Sequence, residues 1–190
     1  MTRPQISVIL STHNWWIERS VARWQLGSEC ILSIARGAVD PPRHMNIFVL
    51  ADTHNHLPAN IETLAEGADE IWHLGDVCAL TILQALERIG PPVTVVRGNC
   101  DSNFDWPLIV DLKRNGVRFR LVHIPPERTP EKVDVLLHGH THVPRNERRE
   151  GVLFLNPGCV TRPNRGAAAS VANLEIAEDG KLTWRTIQLR

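Results

Sequence analysis

The run Asn46-Ile47-Phe48-Val49-Leu50-Ala51, followed at once by Asp52-Thr53-His54, decides how the rest of the chain is read. Five of its six residues are apolar and no period of two separates a wet face from a dry one. That pattern predicts a strand buried on both sides, as in a parallel sheet. A polar loop and a helix-like stretch from Ala59 to Glu66 come next. The same order of apolar run, polar loop and helix recurs from Glu70 to Leu74 into Leu80 to Ile89. Val93 to Val96 then leads into the loop Gly98-Asn99-Cys100-Asp101, so this region predicts β-α-β-α-β.

Downstream the pattern changes to paired runs. Leu108 to Lys113 and Val117 to His123 flank Arg114-Asn115-Gly116, and Asn-Gly between apolar runs is a strong hairpin signal. Val133 to Leu137 is a further buried strand. Val143 to Arg148 and Val152 to Leu155 flank Glu150-Gly151, and Ala169 to Ile176 and Leu182 to Leu189 flank Asp179-Gly180. The second half is therefore expected to consist of antiparallel strands.

Polar residues follow each apolar run at a regular interval. Asp52, Asp76, Asn99 and His123 stand 24, 23 and 24 residues apart. In the first half this is about one β-α unit, so equivalent strand ends come side by side at the carboxyl edge of a sheet, where α/β proteins build their sites. His140 and His142 follow the strand Val133 to Leu137, and an extended His-x-His projects both rings to one side. Carboxylate, imidazole and amide oxygen suit divalent cations such as manganese, iron and zinc, and no thiolate pair stands nearby to suggest structural zinc. With His54, two residues after Asp52, the candidates number seven and exceed one tetrahedral ion. They suit two ions about 3.5 to 4 Å apart that share a carboxylate.

Composition narrows the remaining classes. Of 190 residues, 21 are Lys or Arg and 21 are Asp or Glu, so the formal charge is zero. No basic field draws the chain onto nucleic acid or anionic lipid, and neither stable nucleic-acid binding nor a membrane partner is expected. No apolar run reaches the length of a membrane helix, and Ile6 to Leu10 is too short for a signal peptide, which points to the cytoplasm. Cys30, Cys78, Cys100 and Cys159 lie far apart and are read as reduced thiols.

Taken together, Asp52-Thr53-His54, Gly75-Asp76, Gly98-Asn99-Cys100-Asp101, His123 and Gly139-His140-Thr141-His142 resemble the five ordered motifs of the calcineurin-like metallophosphoesterase superfamily. Asn99-Cys100-Asp101 and Asn156-Pro157-Gly158 are similar to the small single-domain phosphodiesterases of bacteria and archaea. The resemblance covers residues 45 to 190. It implies an α/β (α+β) fold, a four-layer α-β-β-α sandwich of two mixed sheets. It also implies that Asp52, His54 and His142 hold one metal, that Asn99, His123 and His140 hold the other, and that Asp76 bridges both. Asp76, Asn99, His123 and His54 then form the catalytic set, and a hydroxide between the ions attacks phosphorus in line with the leaving oxygen, with no phospho-enzyme. Manganese is the first choice of ion, with nickel, iron, zinc and magnesium also admissible, and the implied substrate is a small phosphodiester.

The chain departs from the family pattern in two places. Members that cleave phosphomonoesters strongly carry a histidine after the motif-three asparagine, where this chain has Cys100, a poor general acid near neutral pH. The segment His123-Ile124-Pro125-Pro126 replaces His-Gly, and only 17 residues separate His123 from His140. A monoester phosphatase and a non-catalytic scaffold like the retromer subunit of this superfamily are the alternatives. His56 and Asp101 are read as supports of the site or contacts to substrate. His73 and His138, inside apolar runs, are read as hydrogen-bonded core residues. Residues 1 to 44 hold Trp15, Trp16, Trp24, five arginines and three acids without periodicity, and Pro41-Pro42 breaks any element, so they are read as a dispensable, poorly ordered extension or an upstream start.

Overall fold

The computed structural model describes residues 43–102 and 105–189. The three amino-terminal tryptophans, Cys30 and the Pro41-Pro42 break lie outside the described residues.

The first strand, β1 (Met45–Leu50), is followed by a one-turn helix α1 (Ile61–Leu64), then β2 (Glu70–His73), α2 (Leu80–Glu87) and β3 (Val93–Val95). The expected helix from Ala59 to Glu66 shortens to a single helical turn between hydrogen-bonded turns, because Asn60 gives no side-chain cap and Gly67 has a left-handed backbone. Seven strands complete the chain: β4 (Ile109–Arg114), β5 (Val117–Val122), β6 (Val135–Leu137), β7 (Arg145–Arg149), β8 (Val152–Asn156), β9 (Ser170–Ile176) and β10 (Leu182–Gln188).

These strands form two five-stranded mixed sheets, ordered β10-β9-β1-β2-β3 and β4-β5-β6-β8-β7. β1 lies at the centre of its sheet, parallel to β2 and antiparallel to β9, and both of its faces are apolar because one meets the second sheet and the other the helices. The three expected hairpins are present. The reading of the second half as antiparallel needs correction at β6, which lies parallel between β5 and β8. Val135-Leu136-Leu137 is buried on both faces, so it occupies a sheet centre rather than a hairpin edge.

Side-chain alternation builds the layers. Ile47, Val49 and Trp72 of the first sheet meet Phe119, Leu121, Val135 and Leu137 of the second in one buried cluster. Trp72 and Phe119 cross that interface edge to face, with ring centroids 5.4 Å apart. The alternate residues Phe48, Leu50 and Ile71 pack against Ile61 of α1 and Ile82, Leu83 and Leu86 of α2. On the far side of the second sheet, Val122, Leu136, Val152 and Phe154 form a smaller cluster with Val133. Among the described residues that face carries no helix. Pro125, Pro126 and Pro130 stand in the segment feeding Val133, and each removes a backbone donor that a helix would need.

Parallel pairing sends β1, β2 and β3 out at one sheet edge, and β5 and β6 run parallel to each other in the second sheet. The segments that follow these five strands carry Asp52, Asp76, Asn99, His123 and His140.

Candidate metal centre

Five strand-end segments are tied together by backbone N–H groups that donate to neighbouring carbonyls and to two of the carboxylates. Asp52 N–H donates to the Gly75 carbonyl at 3.0 Å and His54 N–H to the Asp76 carbonyl at 3.0 Å, joining the turns after β1 and β2. The turn after β3 reaches Asp76 through Cys100 N–H, which donates to Asp76 Oδ1 at 2.8 Å. Gly139 N–H donates to the His123 carbonyl, and His140 N–H to Asp52 Oδ2 at 3.1 Å. Gly98 permits this convergence, since a Cβ there would collide with the backbone and carboxylate of Asp76.

Left-handed backbone is the local device that turns the side chains inward. Asp52, His54, Asp76, His140 and His142 all have positive φ, from 43° to 67°. Such conformations are uncommon for residues with a Cβ, and clustered cases point to a functional site.

The seven expected ligands come together in two groups. In the first, His142 Nε2 lies 3.3 Å from Asp52 Oδ1 and 3.5 Å from His54 Nε2, and His54 Nε2 lies 3.8 Å from Asp76 Oδ2. One ligating atom from each of Asp52, His54, Asp76 and His142 falls within 4.8 Å of all the others. In the second, His123 Nε2 lies 3.3 Å from Asp76 Oδ1 and 2.9 Å from Asn99 Oδ1, and His140 Nδ1 lies 2.9 Å from the same amide oxygen. Asp76 thus presents one carboxylate oxygen to each group.

The donor chemistry of both groups suits a cation. His123 Nδ1 lies 2.8 Å from the Leu74 carbonyl oxygen, which only accepts, so Nδ1 carries the hydrogen. In the neutral ring, Nε2 then turns a lone pair toward two further acceptors, Asp76 Oδ1 and Asn99 Oδ1. His142 is oriented in the same way by its Nδ1–H to the Arg162 carbonyl, 2.5 Å away. Only a proton or a metal ion makes such meetings of acceptors favourable. Cation–ligand bonds of about 2.0–2.2 Å place neighbouring ligand atoms about 3 to 3.5 Å apart, close to the spacings here.

Protonation follows the same logic. Burial pushes the Asp52 carboxyl up to about 6, against the pull of His123 and His142. Burial opposes ionisation of Asp76 too, but hydrogen bonds from His123 and from Cys100 N–H hold that carboxyl well below the usual range. His123 is raised: burial alone would lower it, and its contacts with Asp76 and the Leu74 carbonyl and the charge of Asp52 together outweigh burial. A proton on His123 Nε2 therefore takes the position that an ion would otherwise fill.

Other expected residues find different places. Asp101 is buried, and rather than contacting the Asn99 side chain it accepts the N–H groups of Asp76 at 3.0 Å, Gly98 at 2.7 Å and Cys78 at 2.7 Å. His56 is exposed at the rim, and among the described residues no side-chain hydrogen bond joins it to the cluster. His73 is buried, takes the Gly75 N–H on Nδ1 at 3.2 Å and donates from Nε2 to the Thr53 hydroxyl at 3.1 Å. Burial drives this ring down to about 3, so it is neutral. Buried His138 bonds through Nδ1 to the Gly139 carbonyl. Sequence reasoning missed Thr53, whose hydroxyl joins His73 to the Asp76 carbonyl, and Arg162, which acts through its backbone. An exposed, charged arginine gives no signal that its carbonyl orients a histidine.

Two mixed sheets with a cluster of imidazoles and carboxylates at their strand ends have the architecture of a metal-dependent hydrolase. The calcineurin-like phosphoesterase superfamily domain matches residues 45–179, and the chain belongs to that family of metal-dependent hydrolases of phosphoric esters. It is 31% identical over 161 residues to phosphodiesterase YfcE of Escherichia coli K12, covering 69% of this chain and 88% of that protein. It is 26% identical to phosphodiesterase MJ0936 of Methanocaldococcus jannaschii, covering 76% of this chain and 99% of the relative. The solved YfcE structure superposes with a TM-score of 0.60 at 27% identity, covering 77% of this chain and all of that one. The fold also matches Vacuolar Protein Sorting 29 of Cryptosporidium parvum at a TM-score of 0.62 and 23% identity, over 77% of this chain and 98% of that one. No helix among the described residues is long and apolar enough to cross a membrane.

Proposed function

We propose that this chain is a cytoplasmic phosphodiesterase that holds two divalent ions, manganese first among them. Asp52, His54 and His142 hold one ion, Asn99, His123 and His140 the other, and Asp76 both. The observation that carries the reading is the Asp76 carboxylate, with Oδ1 at 3.3 Å from His123 Nε2 and Oδ2 at 3.8 Å from His54 Nε2. Ions bound there would supply positive charge to the phosphoryl oxygens and ionise an attacking water near neutral pH.

The chain's own groups do the rest. Leu74 and Arg162 carbonyls fix the rings of His123 and His142, so the ligating nitrogens are set before substrate arrives. Asp101 locks the backbone around Asp76 and Gly98 and keeps the shared carboxylate in place. Asn99 and His140 are exposed and form the side on which a phosphate ester approaches. Cys100 sits beside Asp76 with its thiol pushed up by burial and by that carboxylate, so it stays neutral and gives little help to a leaving oxygen. That supports esters whose leaving group departs without a proton over alkyl monoesters, and the names of the two relatives above support diesters among them.

The test is hydrolysis of bis(p-nitrophenyl) phosphate, p-nitrophenyl phosphate and an alkyl monoester with manganese, nickel, zinc and magnesium in turn. The reading requires the diester to be cleaved fastest and only with added metal. Faster turnover of the alkyl monoester would make the chain a monoesterase.

A further inference from the structure

Four large hydrophobic residues are more than half exposed among the described residues: Leu80, Leu108, Ile109 and Ile124. Three of them, Leu108, Ile109 and Ile124, line a single cavity of about 780 Å³, and Asn99 and His123 of the metal centre line it too. Such a concentration of exposed apolar surface marks a binding site, and the volume lies in the range of small-molecule sites. Local sequence explains the shape. Pro107 precedes Leu108 and Pro125 follows Ile124, so these two side chains stand on irregular segments beside the sheet, while Ile109 opens the edge strand β4, whose alternate residues are exposed.

A further feature points to a ligand. The Thr129 hydroxyl belongs to the same lining, is buried, and has no hydrogen-bond partner among the described residues. Buried hydroxyls are nearly always paired, and a turn of the Thr129 side chain toward the cavity would let a polar edge on the occupant satisfy this one.

We propose that this cavity receives a planar aromatic arm of the phosphodiester, so that heteroaryl and nucleobase esters, rather than small alkyl esters, are the substrates. The inference rests on the metal-dependent phosphodiesterase reading above. A phosphoryl group at Asn99 and His123 stands at the cavity wall, and an attached ring reaches Leu108, Ile109 and Ile124 without any change in the centre. A ring nitrogen or exocyclic group completes the Thr129 hydroxyl. A methyl arm would leave the apolar wall wet.

Non-hydrolysable phosphonates separate the anchor from the arm. Calorimetry on the full-length, manganese-loaded chain is expected to show phenylphosphonate binding at least tenfold tighter than methylphosphonate. With Leu108→Ser and Ile124→Ser combined, that ratio is expected to fall to near one, with melting temperature checking that the fold persists. Thr129→Val is expected to reduce any preference for 3-pyridylphosphonate over phenylphosphonate. Equal affinities in the wild type, or a phenyl preference that survives the double substitution, would overturn the inference and leave the apolar wall to a protein partner. Failure of both phosphonates to bind the loaded chain would overturn this inference alone where bis(p-nitrophenyl) phosphate is still cleaved, and would remove the phosphodiesterase reading with it where that diester is not.

Discussion

The two halves of the candidate centre are built from similar ligands but on different terms. Asp52 and Asp76 of the first half are buried, His54 and His142 are largely so, and all four stand on left-handed backbone. In the second half His123 is buried, but Asn99 and His140 are exposed and an amide replaces one carboxylate. Carboxylates contribute charge that an amide cannot, and a closed site loses its ion slowly. The first half should therefore grip its ion, while the second stays open beside the cavity proposed to receive the substrate's arm. Among the described residues, Asp76 alone turns one carboxylate oxygen toward each half, and the asymmetry between the halves can be broken in graded steps.

The largest effect is expected from Asp76→Ala. It removes the shared carboxylate, so hydrolysis of bis(p-nitrophenyl) phosphate should fall to background and both ions should be lost, as read by metal content per chain. Turnover that survives this change would mean that the halves do not share a ligand. Asp101→Asn should act next, through position alone. Three N–H groups depend on its carboxylate, and the amide nitrogen repels one of them, so turnover or metal affinity should drop roughly 10- to 100-fold. Denaturant melts should show about 1–3 kcal/mol lost for a buried group left unsatisfied. An effect on stability without any on metal affinity would separate the scaffold from the centre.

Cys100→His tests the open half in the gaining direction. A histidine there supplies the proton that the neutral thiol withholds, so alkyl monoester turnover should rise by up to the ~10²- to 10⁴-fold that a placed general acid can give. No rise would mean that the leaving oxygen departs on another side. The smallest effect concerns pH and the closed scaffold. His73 is lowered to about 3 by burial, with His123 adding to it, so the unfolded chain takes up a proton near 6.5 that the folded chain refuses. The stability this neutral ring permits is present above about 6.5 and lost as pH falls toward 3. Thermal melts of chelator-treated protein should therefore drop through that window, and His73→Gln should flatten the drop while lowering the melting temperature at pH 7.

Legibility in the sequence divides along the same line. Strands and hairpins were readable because burial imposes period and length. Asn115-Gly116 and Glu150-Gly151 both adopt the paired positive φ of tight hairpins. The convergence of the seven candidate residues was readable because each follows an apolar run. The left-handed backbone under five of them was not, since nothing in Asp or His announces a positive φ. The parallel seat of β6 was hidden because a three-residue apolar run carries no direction. Asp101 looked like a partner of Asn99 from its spacing, yet its bonds go to backbone, which sequence does not display. The cavity was invisible because Leu108, Ile109 and Ile124 resemble ordinary core residues until irregular segments and an edge strand place them outside the core.

The most direct test of a two-ion centre with one closed and one open half is a manganese titration of the metal-free chain, followed by calorimetry, beside the same titration of Asn99→Ala. The wild type should take two ions per chain in two steps of different affinity, and the variant should lose the weaker step and keep the tighter one. A single ion per chain in the wild type, or loss of both steps in Asn99→Ala, would contradict the account.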